Sequence, residues 1–453
     1  MAKTLIKNGW VVTLDPKLGD TRGGDILVED DRIVRVGRRL RATDVKIVDA
    51  NGMIIMPGFV NAHLHTWQTG IRGIAGNWSI PEYLGLMHAK IAPRFTADDT
   101  YIANLVGALN QISNGATTIF DWCHNNATPA HTDGAIAGLK ESCIRAVFGH
   151  GSPKPDTKEG ELPFTHIPHP RNEIERLRRG PFASDDGLMT LAMAILGPDF
   201  STYEVTEHDF RLARELDLLV SAHTWGAPNR MNKDGYQKLA RKGLLGPDHN
   251  LVHGNYLGDR ELKLVVDHGV SVTVTPEVEL QMSHGTPLTG RIRALGARPS
   301  TGVDVESNIS GDMFTVMRMT LQTQRALDNK ETAKKTKAPA QALTISPREA
   351  LEWATIDSAR ALRLDHRVGS LTPGKQADII LIDTDALNLF PVHDPIESIV
   401  FHANGSNVDT VMVAGRVLKK AGRLRFRGLA EKKEHLAKSG RRILKGAGLG
   451  LAT

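Results

Sequence analysis

At 453 residues with 41% apolar side chains, the chain is long enough for a large barrel with an accessory domain and can bury a substantial core. Its two cysteines, Cys123 and Cys143, exclude a disulfide framework and fit a reducing cytoplasm; no apolar run approaches the roughly 18 residues of a membrane span, and no secretory signal is evident. The net charge of +5 includes a Lys- and Arg-rich stretch over 419–445, but this lacks the interleaved aromatics of a nucleic-acid surface, so neither nucleic acid nor membrane is expected as a partner.

Residues 4–55 read as short strands: 5–6 and 11–14 around the turn signal Asn8-Gly9, then 25–28, 32–36 and 46–49, forming an antiparallel segment. An apolar run over 53–56 reaches Pro57-Gly58, and Phe59-Val60-Asn61-Ala62-His63-Leu64-His65 follows. In an extended strand residues i and i+2 share a side, so His63 and His65 can face one point, as two ligands of one metal must. Beyond them strands alternate with helices. Helices are expected at 96–113, 134–142, 171–179, 204–216, 259–268, 290–295, 313–327 and 346–362, the first closed by Asn114-Gly115 and the last opened by the capping box Ser346-Pro347-Arg348-Glu349. Strands begin near residues 59, 116, 146, 190, 218, 251, 270 and 298, and a Pro-rich loop over 151–171 covers one face.

Eight strand–helix units fit an α/β fold of the (β/α)8 TIM-like barrel type. The chain then returns to strands at 377–382 and in a hairpin over 408–417, which pair most simply with the N-terminal strands in a small β-sandwich domain. The expected organisation is 1–57 and 366–424 for the two parts of the sandwich, 58–365 for the barrel, and 425–453 for a basic C-terminal tail, either solvated or in subunit contact.

On such a barrel His63 and His65 end the first strand, His223 the fifth, His253 the sixth and Asp304 the eighth. The C-terminal strand ends of a (β/α)8 barrel converge on one mouth, where active sites form. Four imidazoles and a carboxylate gathered there match the N/O chemistry of Zn²⁺ or Fe²⁺.

The run Pro57-Gly58-Phe59-Val60-Asn61-Ala62-His63-Leu64-His65 recurs with Arg72-Gly73, Gly115-Ala116-Thr117-Thr118, Ser221-Ala222-His223, Val252-His253-Gly254, Gly302-Val303-Asp304 and Gly374-Lys375-Gln376-Ala377-Asp378. With these motifs the chain resembles the amidohydrolase superfamily, in the branch of cytosine and adenosine deaminase-related hydrolases, triazine hydrolases, guanine deaminase and S-adenosylhomocysteine deaminase. The resemblance implies one divalent metal, Zn²⁺ or Fe²⁺, held by His63, His65, His223 and Asp304. It further implies Asp304 as proton shuttle and His253 beside the bound water or substrate carbonyl. Two-metal members bridge their ions with a lysine of the fourth strand, and residues 190–196 contain none. A homo-oligomer is the family expectation.

The chain departs from the branch in one respect. A glutamate usually stands three residues after the fifth-strand histidine, where it protonates a ring nitrogen; here His223-Thr224-Trp225-Gly226 places glycine there. Glu277 is the candidate replacement acid, with Glu279 and Glu306 as further carboxylates near the mouth. Trp67 and Trp225, two residues beyond metal histidines, are candidate walls for a planar substrate, and Gln68 is a candidate contact. The expected activity is hydrolysis of a C–N bond in a small nitrogenous, heterocyclic compound, of the aminohydrolase type. Hydrolysis of a cyclic amide or another leaving group at the same metal is the alternative, and a non-catalytic binding barrel the remote one.

Overall fold

The computed structural model describes residues 3–449, and its first five strands precede any helix: β1 (Lys3–Val11), β2 (Thr21–Glu29), β3 (Arg32–Gly37), β4 (Lys46–Asp49) and β5 (Met53–Pro57). Asn8-Gly9 is not the expected turn. It is a bulge inside one continuous strand, with Asn8 in the left-handed region at φ 67° and the β1–β2 register shifting between Ile6 and Gly9. The expected antiparallel segment is a mixed one, because β4 and β5 both run parallel to β1, pairing with its first and second halves respectively.

The barrel follows as β6 (Phe59–Leu64), β7 (Ala116–Cys123), β8 (Arg145–Gly151), β9 (Met189–Ile195), β10 (Leu219–Thr224), β11 (His249–His253), β12 (Ser271–Val274) and β13 (Ser300–Thr301), each parallel to the next. These are the eight strands the sequence pattern predicts. Every residue of β6, β7, β8, β10 and β11 is buried, as expected of strands covered on both faces. The ring closes between β6 and the residues after β13 through a parallel bridge from Leu64 to Asp304. There the Asp304 amide donates to the His63 carbonyl at 2.9 Å and the His65 amide to the Asp304 carbonyl at 2.7 Å.

Helix Ala97–Ser113 is capped by Thr96 and Asp99 in a capping box. Helix Met313–Thr336 runs nine residues past the expected end at 327; its last turns are polar and exposed, so no apolar period marks them. Among the described residues no helix is long and apolar enough to cross a membrane.

The chain ends its sheet with β14 (Ile379–Asp383), β15 (Val408–Val413), β16 (Arg416–Lys420) and β17 (Arg423–Leu424), which join the N-terminal strands through β14 against β5. The result is one nine-stranded mixed sheet whose two halves share an apolar cluster containing Ile6, Val11, Ile26, Leu371, Ile379 and Met412. The basic tail is not free. Helix Leu429–Gly446 packs on the start of helix Ala97–Ser113, with Ser439 donating to Asp99 at 2.6 Å, Arg442 pairing with Asp99, and His435 lying 2.7 Å from Asp98.

Sheet and barrel are locked by a buried ion pair. Arg145 of β8 donates from Nε and Nη2 to the two carboxylate oxygens of Asp378, both at 2.9 Å, and Asp378 also accepts the Ala414 amide at 2.8 Å. Removing one partner of such a pair strands a buried charge. Arg145→Met is therefore expected to lower stability by about 3–5 kcal/mol in denaturant unfolding, and adding Asp378→Leu should recover much of the loss.

Candidate metal centre and active-site cavity

Extended β6 sends His63 and His65 toward the barrel axis, and the ends of β10, β11 and β13 bring His223, His253 and Asp304 to meet them. His63 Nε2 and His65 Nε2 each lie 3.2 Å from Asp304 Oδ1. His223 Nε2 lies 3.2 Å from His65 Nε2 and 3.3 Å from His63 Nε2. Imidazole nitrogens this close either share a proton or flank a cation. The spacing is that of ligand atoms about 2.0–2.1 Å from a common centre, so the donor set fits one borderline divalent ion.

The electrostatics suit that role. Burial drives His63 down to about 4 and His223 well below its ordinary value, so both rings are neutral with free lone pairs. Burial pulls the Asp304 carboxyl up, but hydrogen bonds with His63 and His65 outweigh it and hold the group well below the usual range. His65 Nδ1 is fixed on the Trp122 carbonyl at 2.7 Å, which leaves Nε2 aimed at the centre. His253 stands 3.7 Å from Asp304 Oδ2 through Nε2, while its Nδ1 faces Glu279 Oε1 at 3.3 Å and Thr275 Oγ1 at 3.1 Å. Both His253 (φ 72°) and Asp304 (φ 79°) adopt left-handed backbone conformations that side-chain-bearing residues seldom occupy.

Several residues expected at the mouth are placed elsewhere. Glu277 accepts the Ser310 amide at 2.9 Å and the Ser310 hydroxyl at 2.8 Å, off the cavity wall. Glu279 is fully buried beneath His253, where it also accepts the Thr275 amide at 3.0 Å. Glu306 is consumed behind the site by Arg72, Thr69, Asn110 and Gln111. Trp67 packs edge-on against Phe95 with its centroid 5.1 Å away, because the strand ends at His65 and Thr66–Ile71 coil into a 3-10 helix that breaks the alternation. Gln68 is one step removed: its amide reaches the hydroxyl of Tyr83, which does line the cavity. Trp225 lines the cavity as expected, edge-on to Phe200.

Position 226 admits no acid at all. Gly226 has φ +75°, and a Cβ there would sit 2.6 Å from the Leu257 amide nitrogen.

A cavity opens over the converging histidines and Asp304, lined by His65, His223, His253, Asp304 and mostly apolar or aromatic side chains. Four polar residues on its wall escape the sequence reading: His88, His124, Lys154 and His284. His124, one residue past β7, satisfies the same strand-end rule that finds the other histidines, and its Nε2 faces His88 Nε2 at 3.4 Å. Lys154 and His284 arrive on loops with no periodic signal.

The sequence profile described as the amidohydrolase family matches residues 54–418. A 5'-deoxyadenosine deaminase of Methanosarcina mazei is 28% identical over 426 residues, covering 92% of this chain and 93% of that one. A 5-methylthioadenosine/S-adenosylhomocysteine deaminase of Thermococcus kodakarensis is 28% identical over 436 residues, covering 91% and 93%. Among solved structures, the zinc complex of an atrazine chlorohydrolase from Arthrobacter aurescens superposes with a TM-score of 0.85 at 21% identity, covering 96% of this chain and all of that one. An adenosine deaminase from Xanthomonas campestris with bound zinc gives 0.82 at 24% identity, covering 98% and 99%. With its strand-end ligand set on an eight-stranded barrel and a family profile spanning most of its length, the chain belongs to the amidohydrolase family.

Proposed function

We propose that this protein is a metal-dependent aminohydrolase that cleaves a C–N bond of a small planar heterocycle and releases ammonia or an amine. The observation that carries the reading is the cluster of His63, His223, His253 and Asp304, whose ligand atoms lie within 4.8 Å of one another, with His65 Nε2 3.2 Å from both Asp304 and His223, at one cavity. The deaminase names of its relatives support the same reaction class.

In this reading His63, His65, His223 and Asp304 hold one divalent ion, Zn²⁺ or Fe²⁺. When bound, the ion supplies the Lewis acidity that makes water a nucleophile near neutral pH. The chain's own residues do the rest. Asp304, kept ionised, takes a proton from the attacking water and delivers it to the departing amine. Glu279 behind Nδ1 orients His253, whose Nε2 faces the cavity where charge develops on the substrate.

The absence of a carboxylic acid at position 226 is the specific observation favouring a second reading, hydrolysis of a cyclic amide, which needs no ring-nitrogen donor. Ammonia release measured across aminated heterocycles, beside ring opening of cyclic amides, separates the two. Release from at least one amine is expected, and ring opening alone would replace the first reading by the second.

Metal analysis should find about one zinc or iron per chain. His223→Ala should weaken zinc binding by more than the roughly 100-fold that bounds loss of an outer-sphere partner, read by competition with a chelator. Asp304→Asn should lower turnover by about 100- to 10,000-fold, the span of a general acid–base group, while circular dichroism stays unchanged. Glu279→Gln is expected to cost about 10- to 100-fold in kcat with metal content unaltered.

A further inference from the structure

Of the four polar wall residues that the reaction above does not use, His88 and His124 face each other, which leaves Lys154 and His284. Lys154 enters on the loop after β8. Its Nζ lies 4.9 Å from the centre of the Phe200 ring and 5.9 Å from that of Trp122. Among the described residues this ammonium has no ion pair and no hydrogen bond, and it is the one cationic side chain on the cavity wall. Burial pulls its pKa down to about 8, against the opposing pull of Asp304.

His284 stands on the wall beside His253, edge-on with centroids 4.7 Å apart. It is 5% exposed, and neither ring nitrogen has a partner. Burial drives it down to about 3, so it is a neutral imidazole offering one donor and one acceptor. Buried polar groups are nearly always satisfied, so the two open ring nitrogens of His284, with the part-buried Lys154 ammonium on the same cavity wall, are groups that a bound molecule would satisfy.

The character of that ligand follows from what surrounds them. The only carboxylate on the wall is Asp304, already engaged with the metal-facing histidines, so nothing is left to pair with a cationic substrate. The rest of the wall is apolar or aromatic, including Ile80, Leu84, Phe200, Val278 and Met282. A desolvated ammonium without a counter-charge is costly, and a ligand oxygen bearing negative charge removes that cost, whereas an uncharged isostere leaves the cation stranded.

We infer that Lys154 is a specificity-determining residue that recognises an anionic oxygen on the planar substrate, with His284 hydrogen-bonding to the same molecule. This rests on the reading of the cavity as a hydrolase site, and it narrows the substrate class to heterocycles carrying a carboxylate or a ring-borne oxyanion.

The test is calorimetric binding to the zinc-loaded full chain. Pyrimidine-5-carboxylate is compared with pyrimidine-5-carboxamide, and barbiturate with uracil, so that the two arms separate an exocyclic carboxylate from a ring oxyanion. In at least one arm the wild type should favour the anion by about tenfold or more. The preference should fall to within about threefold in Lys154→Met and persist in Lys154→Arg, with zinc content and thermal midpoint unchanged. No preference in either arm overturns the inference. So does a preference that survives Lys154→Met, which would belong to the metal. Should Lys154→Met fail to hold zinc, Lys154→Gln carries the same comparison. Failure to release ammonia from any heterocycle would remove the proposed reaction while leaving this charge preference to be judged separately.

Discussion

Two backbone hydrogen bonds, from Asp304 to the His63 carbonyl and from His65 to the Asp304 carbonyl, hold the rest of this structure in place. The last barrel strand is only two residues long, so ring closure falls to the residues that follow it. Asn61 supports the seam by accepting the Val303 amide at 3.0 Å through its side chain. Gly302 permits it, since a Cβ there would lie 2.7 Å from the His63 amide nitrogen. The same three residues that shut the barrel therefore supply three of the side chains that converge at its mouth. Ligand geometry and barrel closure are one constraint, which is why the side chains can be held at 3.2 Å from one another without a flexible loop intervening.

What was legible in the sequence follows from how local each signal is. The strands and their terminal histidines could be read because period-2 burial and chain direction are properties of a few neighbouring residues. Asn8-Gly9 was misread because a bulge and a turn use the same left-handed residue, and only the partner strand distinguishes them. Trp67 was misplaced by extending strand alternation one turn too far, into a segment that coils. The carboxylates show the harder limit. Glu277, Glu279 and Glu306 all lie near the mouth along the chain, yet each is committed to a different neighbour: Ser310, His253 and Arg72. Proximity in sequence to a barrel mouth does not reveal which groups already have partners.

The cavity is defined as much by charge as by shape. Burial holds His88, His124, His223 and His284 well below the usual imidazole range, the Asp304 carboxylate is engaged with the converging histidines, and Lys154 is the cationic side chain among the described wall residues. The loss of any acid at position 226 is a rearrangement and not a simple substitution. The Trp225 and Gly226 amides are both tied to Asp199, at 2.7 and 2.8 Å, and the loop lies flat against Leu257. The polar side chains Lys154 and His284 reach the cavity from the loops after β8 and β12.

The left-handed backbone at His253 and Asp304 has a bearing on how the protein fares in a cell. Each such residue costs on the order of 1–3 kcal/mol, a cost met by the surrounding packing and, at Asp304, by the closing hydrogen bonds. An ion that binds only the folded arrangement adds stability in proportion to the logarithm of its concentration over its dissociation constant. With an ion held by the proposed ligand set, metal supply and protein abundance would be coupled. Under metal starvation, quality-control proteases would meet a larger unfolded fraction, and the shortage would register as fewer molecules as well as idle ones.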